Sequence, residues 1–203
     1  MLLGLDFDNT LVSYDKLFYK LALEKNLIEE SLPESKTEVR NYLRNKGKDE
    51  EFTLLQGEVY GLRILEAEPA EGMVKALGEI NQLGIAMVLV SHKTKTPYKG
   101  PAYDLQQAAW QWLEKYSFFE ENGLGWSRDQ VFFEESKDAK IRRIQQIGCT
   151  HYIDDLTDIL ENIPNRIKRI LYDPGKKKSK EELSKKELIR LASWENLKET
   201  IKC

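Results

Sequence analysis

Histidine and cysteine are scarce in this chain, with two of each among 203 residues. Cys149 and Cys203 are too few for a disulfide framework, and their spacing matches no zinc-binding pattern. Cys149, in Gly148-Cys149-Thr150 ahead of an apolar run, is expected as a small buried thiol, which suits a reducing cytoplasm. No apolar stretch approaches the ~20 residues needed to span a bilayer. Met1 leads at once into a strand-like run, leaving no room for the basic and apolar regions of a secretory leader. Neither sign of charge dominates: 31 Lys and Arg against 34 Asp and Glu give a net charge of -3. No global basic field is available to attract nucleic acid. Internal repeats and low-complexity tracts are absent, and the run Lys176-Lys177-Lys178 reads as a solvated turn.

What is present is a 41% hydrophobic chain, enough for one substantial α/β domain with a modest insertion. Short apolar runs at 2–6, 85–90, 130–133, 151–153 and 167–172 read as buried strands. Amphipathic segments alternate with them. Residues 104–116 place Leu105, Ala108, Ala109, Trp112 and Leu113 on one face, and 138–147 space Ile141, Ile144 and Ile147 by three. This alternation predicts an α/β core over 1–11 and 69–203, a parallel sheet covered on both faces by helices. Residues 12–68 break the pattern, with helices expected near 14–28, 35–46 and 50–66 and no convincing strand. So long a connection is read as a small helical cap inserted beside a site; a plain extra helical layer is the other reading. The loop 91–103 carries His92, Lys93, Lys95, Tyr98 and Lys99, which would suit a charged ligand or a solvated surface equally.

The chemistry gathers at strand ends, where ligands collect in such sheets. Asp6 and Asp8 follow the first strand in Asp6-Phe7-Asp8-Asn9-Thr10. Ser91 follows the second, Lys137 stands at the entrance of a helix, and Ile153-Asp154-Asp155-Leu156-Thr157-Asp158 ends another strand in acid. Each has a plainer use. Asp and Asn favour turns, serine often caps one, a lysine at a helix entrance is commonly solvated, and Asp155 could cap a helix. Asp154 and Asp158, four apart, would share a face if a helix began there.

As a set these groups suit phosphoryl transfer, which depends on positioning and charge neutralisation. Asp6 would attack phosphorus, and Asp8 would protonate the leaving oxygen and then take a proton from water. Ser91 and Lys137 would hold phosphoryl oxygens, with Thr10 also on the substrate side, and Lys137 offsetting their charge. Oxygen-only donors with no His or Cys nearby favour Mg²⁺ over zinc. Asp154 would complete its shell, and Asp155 or Asp158 would orient bound water.

Asp6-Phe7-Asp8-Asn9-Thr10, Ser91, Lys137 and Asp154-Asp155 with Asp158 occur in the order of the four motifs of the haloacid dehalogenase superfamily, which this chain resembles over roughly 1–11 and 69–175. The resemblance implies a Rossmann-like three-layer sheet and a Mg²⁺-dependent phosphatase with a C1-type helical cap inserted after the first motif. In it Asp6 is nucleophile and metal ligand, Asp8 gives acid/base catalysis and a backbone carbonyl to the metal, and Asp154 is a further ligand. Lys140, one turn from Lys137, is the other candidate for the third motif. Dehalogenases of the family lack an acid at the position of Asp8 and transport ATPases carry Thr there, so Asp8 points to a phosphatase or phosphomutase. The expected partner is a small phosphorylated metabolite, with neither nucleic acid nor membrane. A phosphomutase, and a non-catalytic module binding phosphate or a partner, are the alternative readings.

Overall fold

The computed structural model describes residues 1–202; Cys203 lies outside the described residues. The chain runs β1 (Leu2–Leu5), β2 (Val12–Ser13), α1 (Asp15–Glu24), α2 (Lys36–Asn45), α3 (Asp49–Gly57), β3 (Glu68–Pro69), α4 (Met73–Gln82), β4 (Ala86–His92) and α5 (Leu105–Lys115). It continues through β5 (Val131–Glu134), α6 (Lys137–Ile147), β6 (His151–Asp154), α7 (Thr157–Glu161), β7 (Lys168–Tyr172), α8 (Lys180–Lys185), β8 (Ile189–Leu191) and α9 (Leu197–Thr200). Among the described residues no helix is long and apolar enough to cross a membrane.

Two compact units result. The first comprises Met1–Val12, Pro69–Lys93 and the described residues from Ser117 onward, and is built on a six-stranded sheet of order β5-β4-β1-β6-β7-β8. Every neighbouring pair in that sheet is parallel. Strands with helices on both faces read as apolar runs, and β1 and β6 are buried almost throughout. Val88, Val90, Ile144, Tyr152, Ile159, Leu160 and Leu171 form one buried cluster, with Ile141 and Ile147 packed against it. The spacing-three isoleucines of the sequence are therefore the inner stripe of α6. That helix starts at Ser136, whose hydroxyl accepts from the Ala139 N–H at 3.2 Å, and stops at Gly148 in the left-handed region at φ 80°.

The sheet order places β1 between β4 and β6, so the chain winds away from β1 in both directions. This is the crossover point at which parallel sheets open a crevice beyond their carboxyl ends. Register then decides which residues meet there. Leu5 pairs with Leu89 on one side and Ile153 on the other, and the Asp6 N–H donates to the Ile153 carbonyl at 2.9 Å. Asp6 and Asp154 thus leave adjacent strands at the same level.

The second unit comprises Ser13–Glu68 and Thr94–Tyr116. Its helices α1, α2 and α3 follow the sequence expectation, but the third helix expected over 50–66 is interrupted. After Gly57 the chain widens into a π turn at Glu58–Leu62 and then tightens into a 3₁₀ turn at Ile64–Glu66. Thr94–Tyr116, which the sequence pattern assigns to the core, belongs to this unit. A Cβ on Gly61 would lie 2.6 Å from Cβ of Tyr103, so the bare backbone is what admits the loop before α5. The buried Trp112 of α5 then donates its indole N–H to the Ala67 carbonyl at 2.9 Å.

Candidate active site

The turn after β1 is folded onto one carbonyl. The N–H groups of Leu11 and Val12 donate to Phe7 O at 3.0 and 3.1 Å, and Asn9 takes φ 58°. Asparagine tolerates that left-handed backbone better than most residues. The turn keeps Asp6 buried at 4% exposure while the Asp8 side chain stays partly open at 24%.

Three side-chain donors converge on Asp6. Ser91 Oγ donates to Asp6 Oδ1 at 2.8 Å, and Thr10 Oγ1 donates to Oδ2 at 3.2 Å. The Lys140 ammonium donates to Asp6 Oδ1 and to Asp154 Oδ2, both at 2.6 Å. Carboxylate oxygens of Asp6, Asp154 and Asp155 lie within 4.8 Å of one another. Strand β4 extends two residues beyond its expected end, so Ser91 belongs to the strand and is buried rather than capping a turn. Thr10 is likewise fully buried, with its hydroxyl committed to Asp6.

Lys137 is not brought to this cluster. It is half-exposed and its ammonium pairs with Asp158 at 2.6 Å, on the surface. Asp158 goes with it. Asp154 ends β6 and Asp158 lies in α7, so the two share no helix face. The Asp154 Oδ1 instead accepts from the Leu156 N–H at 2.8 Å, closing a tight turn. The lysine that enters is Lys140, 2% exposed, on the same stripe of α6 as the buried Ile144. Its signal was a lysine four residues before an apolar stripe position, on the face a helix normally buries. Lys93, one of the polar loop residues, is equally internal. Just beyond β4, it is 3% exposed, its N–H donates to Glu134 O at 2.8 Å, and its ammonium reaches both Asp8 oxygens at 2.8 Å.

The electrostatics follow from burial with partners. Burial alone would lower the Lys140 pKa, but the charges of Asp6 and Asp154 outweigh it and hold the ammonium protonated. Burial pushes the Asp154 carboxyl above the usual range, with Lys140 opposing and the Asp6 charge adding to the rise. Tyr152, fully buried beneath, donates its hydroxyl to Val90 O and sets its ring 5.6 Å from the Lys140 ammonium. Two buried carboxylates, Asp6 and Asp154, with the half-buried Asp155 beside them, form the oxygen donor set a hard dication fits.

No family model matches the chain, and no curated protein matches it in sequence. Solved structures do match. A HAD family hydrolase from Deinococcus radiodurans R1, described with bound phosphate and sodium, superposes with a TM-score of 0.61 at 12% identity, covering 98% of this chain and 93% of that one. A HAD-hydrolase from Bacillus subtilis bound to magnesium gives 0.55 at 12% identity, covering 100% and 98%. A protein described as a dehalogenase gives 0.55 at 12% identity, covering 96% and 94%. This chain has the mixed α/β, Rossmann-like fold of the HAD-superfamily hydrolases.

Proposed function

We propose that this protein is a Mg²⁺-dependent phosphatase that hydrolyses a small phosphate monoester through an aspartyl-phosphate. One observation carries the reading: a nucleophile-grade carboxylate, Asp6, oriented by Ser91, Thr10 and Lys140, stands two residues from a second, more open carboxylate, Asp8. Asp6 Oδ1 takes two donors and Oδ2 only the longer Thr10 bond, so Oδ2 is the oxygen left to attack. As the Asp6–phosphorus bond forms, the ester P–O bond breaks and the leaving oxygen takes the proton of Asp8. Water then attacks phosphorus, Asp8 accepts its proton and the Asp6–phosphorus bond breaks, restoring both groups. Lys140, rather than Lys137, offsets charge on the phosphoryl oxygens, with Ser91 beside it. Mg²⁺ held by Asp6, Asp154 and Asp155, with the Asp8 carbonyl as the family resemblance implies, would neutralise charge on the transferring group.

Matches to a phosphate-bound and a magnesium-bound HAD hydrolase support this reading. Other structural neighbours are described as dehalogenases, which is the competing chemistry. A halide departs without needing a proton, whereas an alkoxide does not, so an acid at Asp8 serves ester cleavage. We read the second unit, entered after Val12, as the C1-type cap that selects the substrate, and the buried free thiol of Cys149 suits a cytoplasmic setting.

The test is turnover of p-nitrophenyl phosphate with and without Mg²⁺. Mg²⁺-dependent release of phosphate that Asp6→Asn abolishes is expected. Turnover that survives Asp6→Asn, or halide release from a 2-haloacid with no action on phosphates, would overturn it.

A further inference from the structure

The ammonium of Lys93 lies 2.8 Å from both oxygens of Asp8, and this contact belongs to no step so far described. Three features set it apart from a surface ion pair. Lys93 is 3% exposed, so its charge has left water and requires a partner. Its backbone is fixed by the hydrogen bond to Glu134 O at the end of β4. Its ammonium also lies 5.1 Å from the centroid of the Phe7 ring, and that ring meets Phe133 edge-on at 5.7 Å. The lysine head is thus held by the residue between the two site aspartates and braced through it on β5. Asp8 lies on a turn with its side chain partly open to solvent, and the Lys93 ammonium spans both of its carboxylate oxygens.

We propose that Lys93 is a positioning residue for Asp8, clamping the carboxyl where a leaving-group oxygen is protonated and pairing with the carboxylate that proton donation leaves behind. The proposal rests on the phosphatase reading and extends it to a preference for phosphate esters of poor leaving groups. Such esters, with an alkoxide to expel, need the proton at the moment of bond cleavage; aryl esters with a good leaving group need it far less. In the first step the ester oxygen gains the Asp8 proton as its bond to phosphorus breaks, and the new Asp8 anion meets the ammonium already beside it. In the second step Asp8 regains a proton from the attacking water. No other reactant is required.

The experiment compares kcat/KM for an alkyl phosphate such as glycerol 3-phosphate with that for p-nitrophenyl phosphate, in Mg²⁺. The variants are Lys93→Met, Lys93→Gln, Lys93→Arg, Asp8→Asn and the double variant Lys93→Met/Asp8→Asn. General acid catalysis contributes about 10²–10⁴-fold, so loss of its alignment should lower the alkyl-to-aryl ratio by about 30-fold or more in Lys93→Met and Lys93→Gln. Lys93→Arg should recover most of the ratio. The double variant should match Asp8→Asn alone, because both changes remove one function. A ratio unchanged in Lys93→Met and Lys93→Gln, or a double variant whose loss is the product of the single losses, would overturn the clamp while leaving the phosphatase reading intact. Absence of wild-type turnover on both esters would overturn the two together. A purely structural role for Lys93 would lower both activities in parallel and leave the ratio where it was, so Lys93→Gln decides the matter even if Lys93→Met folds poorly.

Discussion

Lys137 and Lys140 stand one turn apart on α6 and end in opposite surroundings: Lys140 is clasped by Asp6 and Asp154, while Lys137 meets only the exposed Asp158. The difference is a matter of helix phase. Lys140 lies on the stripe that carries Ile144 into the core, and Lys137 belongs to the first, solvated turn.

The two substitutions should therefore separate cleanly. Lys137→Met removes a solvated ion pair, worth about 0–1 kcal/mol, and should leave stability and phosphate turnover close to wild type. Lys140→Met strands two buried carboxylates, and breaking a buried pair costs about 3–5 kcal/mol. Urea unfolding of the two variants measures the contrast. The pH dependence of Lys140→Met carries its own sign. Asp154 is already raised by burial, and losing Lys140 removes the charge that opposed the rise. A carboxyl whose folded pKa lies above its unfolded one binds the extra proton in the folded state, so this variant should regain stability as the pH falls from about 7 toward 4. Wild-type turnover by Lys140→Met would remove Lys140 from the site.

Much of this arrangement is legible in the amino-acid sequence. Strands that are short apolar runs, β1, β5, β6 and β7, lie within a residue of where periodicity puts them, because burial on both faces leaves a plain signal. Asp6, Ser91 and Asp154 were legible for the same reason: each follows or ends such a run, and parallel register brings strand ends to one level. The lysines were harder. A lysine is usually solvated, and only the phase of α6 tells Lys140 from Lys137, a difference of one turn in an assignment whose boundaries drift by a residue or two. Lys93 carries no periodic signal, since it lies one residue beyond β4 in a polar loop that suits a charged ligand and a solvated surface equally. The membership of Thr94–Tyr116 was hidden in Gly61, whose use is a close approach by Tyr103, a residue 42 positions away in sequence.

Gly4 offers a local test of how tightly the sheet supports the site. A Cβ there would fall 2.6 Å from Tyr152 Cδ2 and 2.9 Å from Cys149 Sγ, both buried. Neither neighbour can yield freely, because the Tyr152 hydroxyl is bonded to Val90 O and its ring underlies Lys140. Gly4→Ala should cost about 1–3 kcal/mol by overpacking, despite the better strand propensity of alanine. Thermal unfolding checks it, and Gly4→Ala/Cys149→Ala should recover part of the loss by making room on the sulfur side. A Gly4→Ala protein as stable as wild type would mean that the strand shifts to accept the methyl.

His151, at the start of β6, gives the chain a pH dependence separate from the site. It is 6% exposed, its Nδ1 lies 2.9 Å from Thr150 Oγ1, and its pKa is lowered from the ordinary 6.5. Burial is the main cause, the Lys168 charge adds to it, and a smaller hydrogen-bonding contribution from Ile201 opposes. With the folded pKa depressed, the unfolded chain binds the proton first as the pH drops. The stability held by the neutral ring is therefore complete above about pH 6.5 and declines as the pH falls through the unfolded pKa toward the folded one. The melting temperature of the wild type should fall between pH 7.5 and 5.5, and His151→Gln, which cannot charge, should flatten that part of the profile. If wild type and His151→Gln show parallel curves over this range, the titration lies elsewhere in the molecule, and the burial of His151 carries no pH-linked stability.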